Sequence, residues 1–329
     1  MRRRDFFALI GGVAATWPCN GFAQQPNVAT IGFLRDAPAK GSEYLVSAFR
    51  RGLGEAGLND KEDFAIELGM SEGRRERLLS LAAEFASRPV SLIAASATSA
   101  AIAAKAATSI VPIVVAFPGD PVQMGLAQSM NRPGGNLTGV SYLNTELVAK
   151  RIGILRELSA DLTTLAVLVN PKGANANDTI REVNEALSTS LRGMTRARFV
   201  NASTPDEIDA AFAQLRGSGT KVLLVGNDAY FTTQRERIVK NAAQSRLTTI
   251  YAQREFAEAG GLMAYGANLP EAYRLAGVYA ARILKGEKPA DLPIINPTKF
   301  EFLINLKAAK VAGIQIPDRV LALADEVIE

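Results

Sequence analysis

The chain has 329 residues with no histidine, one cysteine and one tryptophan, and its net charge is +4. That composition excludes Ser-His-Asp catalysis, a histidine-activated thiol, an internal disulfide and any histidine- or cysteine-cluster metal site. At roughly 100–200 residues per domain, the length predicts two domains. Along the chain, Arg2-Arg3-Arg4-Asp5-Phe6-Phe7 comes first and leads into an apolar run from Phe6 to Ala15. The run is shorter than the roughly 20 residues that span a bilayer. With the small-residue end at Gly21-Phe22-Ala23, residues 1–23 read as an export signal, and the paired arginines before Phe-Phe give it a twin-arginine character. Cleavage after Ala23 leaves 306 residues, lowers the charge to +2, and removes Trp17 and Cys19. So small a charge gives no case for nucleic acid, and no later apolar run is long enough for a membrane span. A soluble, monomeric product in the periplasm is expected, with no cofactor and no metal.

Past the signal, short β-branched runs alternate with amphipathic stretches. Strands are expected at Val28–Leu34, Phe64–Leu68, Val90–Ala95 and Val111–Phe117, and again at Thr164–Asn170, Arg196–Val200, Lys221–Val225 and Thr248–Ala252. Helical stripes lie between them, for example Leu45, Phe49 and Leu53, or Ile208, Phe212 and Leu215 after Thr204-Pro205. The spacing is that of βαβ units, so two α/β lobes of doubly wound topology joined by a hinge are predicted. Leu262–Tyr265 and Phe300–Asn305 read as late strands around a helix from Pro270 to Lys285. Late elements must dock on existing sheets, so the chain crosses between lobes more than twice. The first crossing is expected near Gly134-Gly135 and Gly139. Residues 24–141 with about 264–298 form one lobe, and residues 142–263 with about 299–329 form the other.

In open parallel sheets, ligands bind at the carboxyl ends of strands. Those ends carry Asp36, then Ser96, Thr98 and Ser99, then Phe117 and Asp120, and in the second half Asn170, Asn227, Asp228 and Tyr265. Ser96-Ala97-Thr98-Ser99 precedes an alanine-rich helix, whose free N–H groups accept an anion without a basic side chain. Capping alone is the plain alternative. Asp36 and Asp228 are candidates for a ligand ammonium, with turn formation as the alternative. Phe117 and Tyr265 are candidates for stacking on a planar solute, with core packing as the alternative. No glycine-rich phosphate loop follows a strand into a helix.

Several longer strings then resemble one family. They are Gly119–Leu126, Asn131–Val140, Arg254–Gly266, Ile283–Pro293 and Phe300–Lys307. Together they are similar to one branch of the ABC transporter substrate-binding proteins, of the type I periplasmic-binding fold, which includes receptors associated with tryptophan and tyrosine. The resemblance implies a periplasmic receptor, not an enzyme, that clamps a small solute between two lobes and delivers it to an inner-membrane ABC permease. It also implies that the Ser96–Ser99 loop holds a ligand carboxylate and Asp228 a ligand amine. Aromatic and branched amino acids, aromatic acids and sugars stay open as solutes. A sensory receptor for a membrane kinase or chemoreceptor would leave the same signals, and a secreted enzyme using Asp, Glu or Lys is a further alternative.

Overall fold

Two largely parallel sheets organise the chain, each covered by helices on both faces. The computed structural model describes residues 28–142, 147–159, 162–189, 196–296 and 300–329, so the expected export signal lies outside the described residues. The first sheet holds β1 (Ala29–Arg35), β2 (Phe64–Met70), β3 (Leu92–Ser96), β4 (Ile113–Phe117) and β5 (Leu137–Ser141). Its order is β2-β1-β3-β4-β5, all parallel. The second holds β6 (Thr164–Val169), β7 (Arg196–Asn201), β8 (Val222–Val225), β9 (Thr248–Tyr251), β10 (Met263–Ala267), β11 (Phe300–Asn305) and β12 (Glu326–Ile328). Its order is β12-β11-β10-β9-β8-β6-β7, and β10 with β11 is its antiparallel pair.

The period-2 alternation of each strand feeds two separate cores. In β3, Leu92 and Ala94 face α1 (Glu43–Glu55) and α10 (Leu269–Leu284). Its alternate residues Ile93 and Ala95 face α2 (Arg75–Ser87) and α3 (Thr98–Ala107). The second lobe repeats the pattern. Leu165 and Val167 pack with α4 (Val148–Leu158) and α5 (Ala176–Ser188), whereas Ala166 and Leu168 pack with α6 (Pro205–Arg216) and α8 (Arg235–Gln244). As expected, Thr204 caps α6, accepting from the Glu207 N–H at 3.2 Å. The short helices α7 (Ala229–Thr233), α9 (Arg254–Glu258), α11 (Leu306–Ala312) and α12 (Asp318–Leu321) complete the second lobe.

Two expectations about the crossings need correction. Gly139 does not lie in a crossing but inside β5, where its φ is +134° and an added Cβ would stand 2.3 Å from the Val115 carbonyl oxygen. The first crossing therefore follows Ser141. The return to lobe 1 falls not near 264 but after Ala267, because β10 pairs with β9 and β11 of the second sheet. The helix α10 then packs on α1 through facing glycines. A Cβ on Gly52 would stand 1.9 Å from the Arg274 carbonyl oxygen, and one on Gly277 2.1 Å from that of Phe49. Only residues without a side chain let the two backbones approach so closely. The last stretch in lobe 1 runs beside β5, with Ser141 N–H donating to Ile295 at 2.9 Å and Ile295 N–H to Gly139 at 3.0 Å. From Phe300 the chain is again in the second sheet, as β11.

Candidate functional site

Each sheet has one point where the strand order reverses, and ligands bind outside the carboxyl ends there. In lobe 1 that point lies between β1 and β3, which end at Arg35 and Ser96. In lobe 2 it lies between β6 and β8, which lead into Asn170 and into Asn227-Asp228. The two points face one another. Asp36 is close enough for its charge to push the Asp228 carboxyl upward, and Arg235 of lobe 2 donates to the Gly41 carbonyl of lobe 1 at 3.4 Å.

The lobe 1 wall is built around Arg35, which is only 2 % exposed. Its Nε donates to Ser42 Oγ at 3.1 Å, and its Nη1 donates to Ser96 Oγ at 2.7 Å and to Tyr273 OH at 3.1 Å. All three partners are neutral hydroxyls, and among the described residues no carboxylate pairs with this guanidinium. Beside it, Ala97 turns the chain from β3 into α3 at φ 78°, ψ 167°, a region that residues with a Cβ rarely occupy. No side chain caps α3, so its first N–H groups stay without intrahelical partners. Thr98, in the first turn, is 2 % exposed and its Oγ1 has no hydrogen-bond partner. Ser99 follows it, half-buried. Asp36 accepts from Ser71 Oγ at 2.5 Å.

The lobe 2 wall is acidic and amidic. Asp228 caps α7, its Oδ1 accepting from the N–H groups of Tyr230 at 2.9 Å and Phe231 at 3.3 Å, and from Asn170 Nδ2 at 3.1 Å. Burial pushes its carboxyl up, while those hydrogen bonds pull it down. Asn170 also accepts from Ser203 Oγ at 2.8 Å. Asn227 accepts from Gln253 Nε2, and its own buried Nδ2 has no partner.

Three sequence candidates lie apart from this group. Phe117 is fully buried in the α2–α3 core of lobe 1 and presents no face to a planar solute. Asp120 closes a local turn, accepting from Val122 N–H at 2.7 Å, and borders a separate cavity of about 760 Å³ between Met124 and α5. Tyr265 lies on the lobe 2 sheet against Phe302, at 6.1 Å between ring centroids, while its carbonyl accepts from Arg151 Nε at 2.7 Å.

Sequence reasoning passed over Arg35 and two groups deeper in the cleft. A pocket of about 400 Å³ lies between Tyr44 and Pro270 of lobe 1 and Arg235, Arg254, Glu255 and Glu258 of lobe 2. Glu255 is 7 % exposed, and neither carboxyl oxygen has a hydrogen-bond partner. Burial lifts its carboxyl to about 7. The Tyr44 hydroxyl is likewise buried and unpartnered, and burial with the Glu255 charge pushes it well up. No local signal marked either, because a tyrosine and a glutamate in the first turn of a helix are common on solvated faces.

Residues 36–328 match the family of ABC transporter substrate binding proteins. The chain belongs to this family. It is a family of solute-binding proteins, not an enzyme family. A curated tyrosine-binding protein from Clostridioides difficile is 25% identical over 268 residues, which are 81% of this chain and 76% of that protein. The substrate-binding protein fold is shared with a Streptococcus pneumonia ABC domain in complex with L-Trp, at 24% identity and a TM-score of 0.79, covering 92% of this chain and 100% of that one. A ligand-free, open substrate-binding protein with adhesive properties from Clostridium difficile gives 24% identity and a TM-score of 0.63, covering 92% and 99%. Among the described residues, no helix is long and apolar enough to cross a membrane.

Proposed function

We propose that this substrate-binding protein is the periplasmic receptor of an ABC importer, and that it closes its two lobes around a small solute bearing an anionic group. The observation that carries the reading is Arg35, a buried guanidinium held by three hydroxyls and by no carboxylate. A buried charge without a counter-charge costs several kcal/mol, roughly, and an anion seated beside it offsets that cost. The uncapped start of α3 and the unpartnered Thr98 hydroxyl supply further donors on the same wall. Arg35 thus joins the Ser96–Ser99 loop as the anion-binding wall. Asn170, Asn227 and Asp228 approach from the opposite lobe, so a solute between the walls joins the lobes and favours closure. Relatives named for tyrosine and for L-Trp support an amino acid or aromatic acid as solute, and the paired arginines before Phe6-Phe7 support export by a twin-arginine route. The closed form is then what an inner-membrane permease receives.

The test is a thermal-shift screen of the purified protein against amino acids, aromatic acids and sugars. A solute at 100 times its dissociation constant stabilises the fold by about 2.7 kcal/mol. Stabilisation by an anion-bearing solute is the expected result, and a screen in which no solute shifts the transition counts against the reading.

A further inference from the structure

The two lobes also touch through side chains that belong to neither solute wall. Arg235, half-buried at the first position of α8, donates through Nη1 to the Gly41 carbonyl of lobe 1 at 3.4 Å. Its guanidinium lies over the Tyr44 ring of the same lobe, 5.9 Å from the centroid. That Nη1 also donates to the Thr232 carbonyl of its own lobe at 3.1 Å, which aims the side chain across the cleft, and its charge acts on Glu255. Gly41 lets the chains come this near. Its φ is +85°, and an added Cβ would stand 3.3 Å from Arg235 Nη1 and 3.4 Å from the Thr233 Cα. A second approach lies close by, where a Cβ on Gly73 would stand 3.9 Å from the Tyr230 ring. Arg235 and Gly41 are 194 residues apart and on different lobes, so opening of the lobes separates them.

Both ends of this contact are one step from the solute walls. On lobe 1, the loop that offers the Gly41 carbonyl is tied to the anion wall. Arg35 Nε donates to Ser42 Oγ at 3.1 Å, and Ser42 Oγ donates to the Pro38 carbonyl at 2.8 Å. On lobe 2, Thr232 lies in the helix that Asp228 caps, and its Oγ1 donates to the Asp228 carbonyl at 3.0 Å. We propose that Arg235 is a positioning residue, a latch that never touches the solute. It grips the Gly41 carbonyl and the Tyr44 ring when the lobes close, and so lengthens the stay of every solute the cleft accepts. This rests on the receptor reading above. A charge-assisted hydrogen bond and a cation–ring contact at a half-buried site are weak by themselves, yet they add to whatever a solute contributes to closure. Without the latch the closed share falls, and apparent affinity falls in proportion to it. A group in contact with solute affects some solutes more than others, whereas a latch affects all of them by one factor.

Calorimetric titration and stopped-flow dissociation of the purified protein test this. The probes are the amino acids and aromatic acids of the thermal screen, L-tyrosine and L-tryptophan first. Arg235→Ala should weaken every probe that binds by one common factor, about tenfold, and the loss should appear as faster dissociation. Arg235→Lys keeps the charge and should recover part of that loss. Tyr44→Leu removes the ring on the other lobe and should weaken the probes severalfold. The double variant Arg235→Ala/Tyr44→Leu should then lose less than the product of the two factors, because the two side chains make one contact. Where a single probe binds, this shortfall decides. Should Arg235→Ala fail to fold, Tyr44→Leu decides by the common factor and the faster dissociation. Unchanged affinity in Arg235→Ala, or losses that differ more than threefold between probes, overturns the latch and leaves the receptor reading standing. If none of the probes binds the unaltered protein, both fall.

Discussion

The two walls of the cleft carry opposite charges and differ in how far those charges are already satisfied. Lobe 1 buries Arg35 among hydroxyls that orient it without neutralising it. Lobe 2 holds two carboxyls: half-buried Asp228, engaged by its own helix, and buried Glu255, to which no side chain donates. A strand-end position brings a side chain to the cleft, but only the accounting of its partners separates a structural cap from a group that awaits a ligand.

The largest effect should come from the lobe 1 wall. Arg35→Gln keeps hydrogen bonds to the surrounding hydroxyls and removes the charge, so solute affinity should fall at least hundredfold, about 2.8 kcal/mol by titration calorimetry. Next comes Glu255. Because its folded carboxyl is lifted from 4.5 to about 7, the folded protein holds that proton more tightly than the unfolded chain. Its favourable contribution is present at low pH and is lost as pH rises through 7. Urea unfolding should therefore show Glu255→Gln gaining on the order of 2–3 kcal/mol on the unaltered protein between about pH 5 and pH 8. A constant difference across that range would mean that Glu255 has a partner. Thr98→Val should weaken solute binding by about tenfold, close to 1.4 kcal/mol, with little change in stability. Asp228→Ala acts on both: loss of the α7 cap should cost about 1 kcal/mol in unfolding experiments, with a smaller effect on affinity than Arg35→Gln. An Asp228→Ala effect on binding larger than that of Arg35→Gln would reverse the ranking of the two walls.

The lobes were legible in the sequence because buried parallel strands are continuous apolar runs bounded by turns. The expected strands match within two or three residues at their ends, as at Phe64 and Phe300. β5 was missed since Leu137–Ser141 is short, polar at Thr138 and interrupted by Gly139, which reads as a turn until Val115 is seen beside it. Ser96 was found, but its function of holding Arg35 depends on a contact across 61 residues that no local pattern contains. Phe117 looked available for stacking because a five-residue run buried on both faces does not reveal that its end is covered too. Arg35 and Glu255 were passed over for one reason. An arginine at a strand end, and a glutamate between Arg254 and Glu258, both resemble solvated charge, and their burial arises only from the packing of distant elements.

Closure of the two lobes on a solute is open to direct measurement by small-angle scattering. The protein alone should be more extended than the lobe-to-lobe arrangement seen here, in which Arg235 reaches Gly41. A solute found in the thermal screen should reduce the radius of gyration to that of this arrangement. A scattering curve unchanged by a solute that binds would contradict closure.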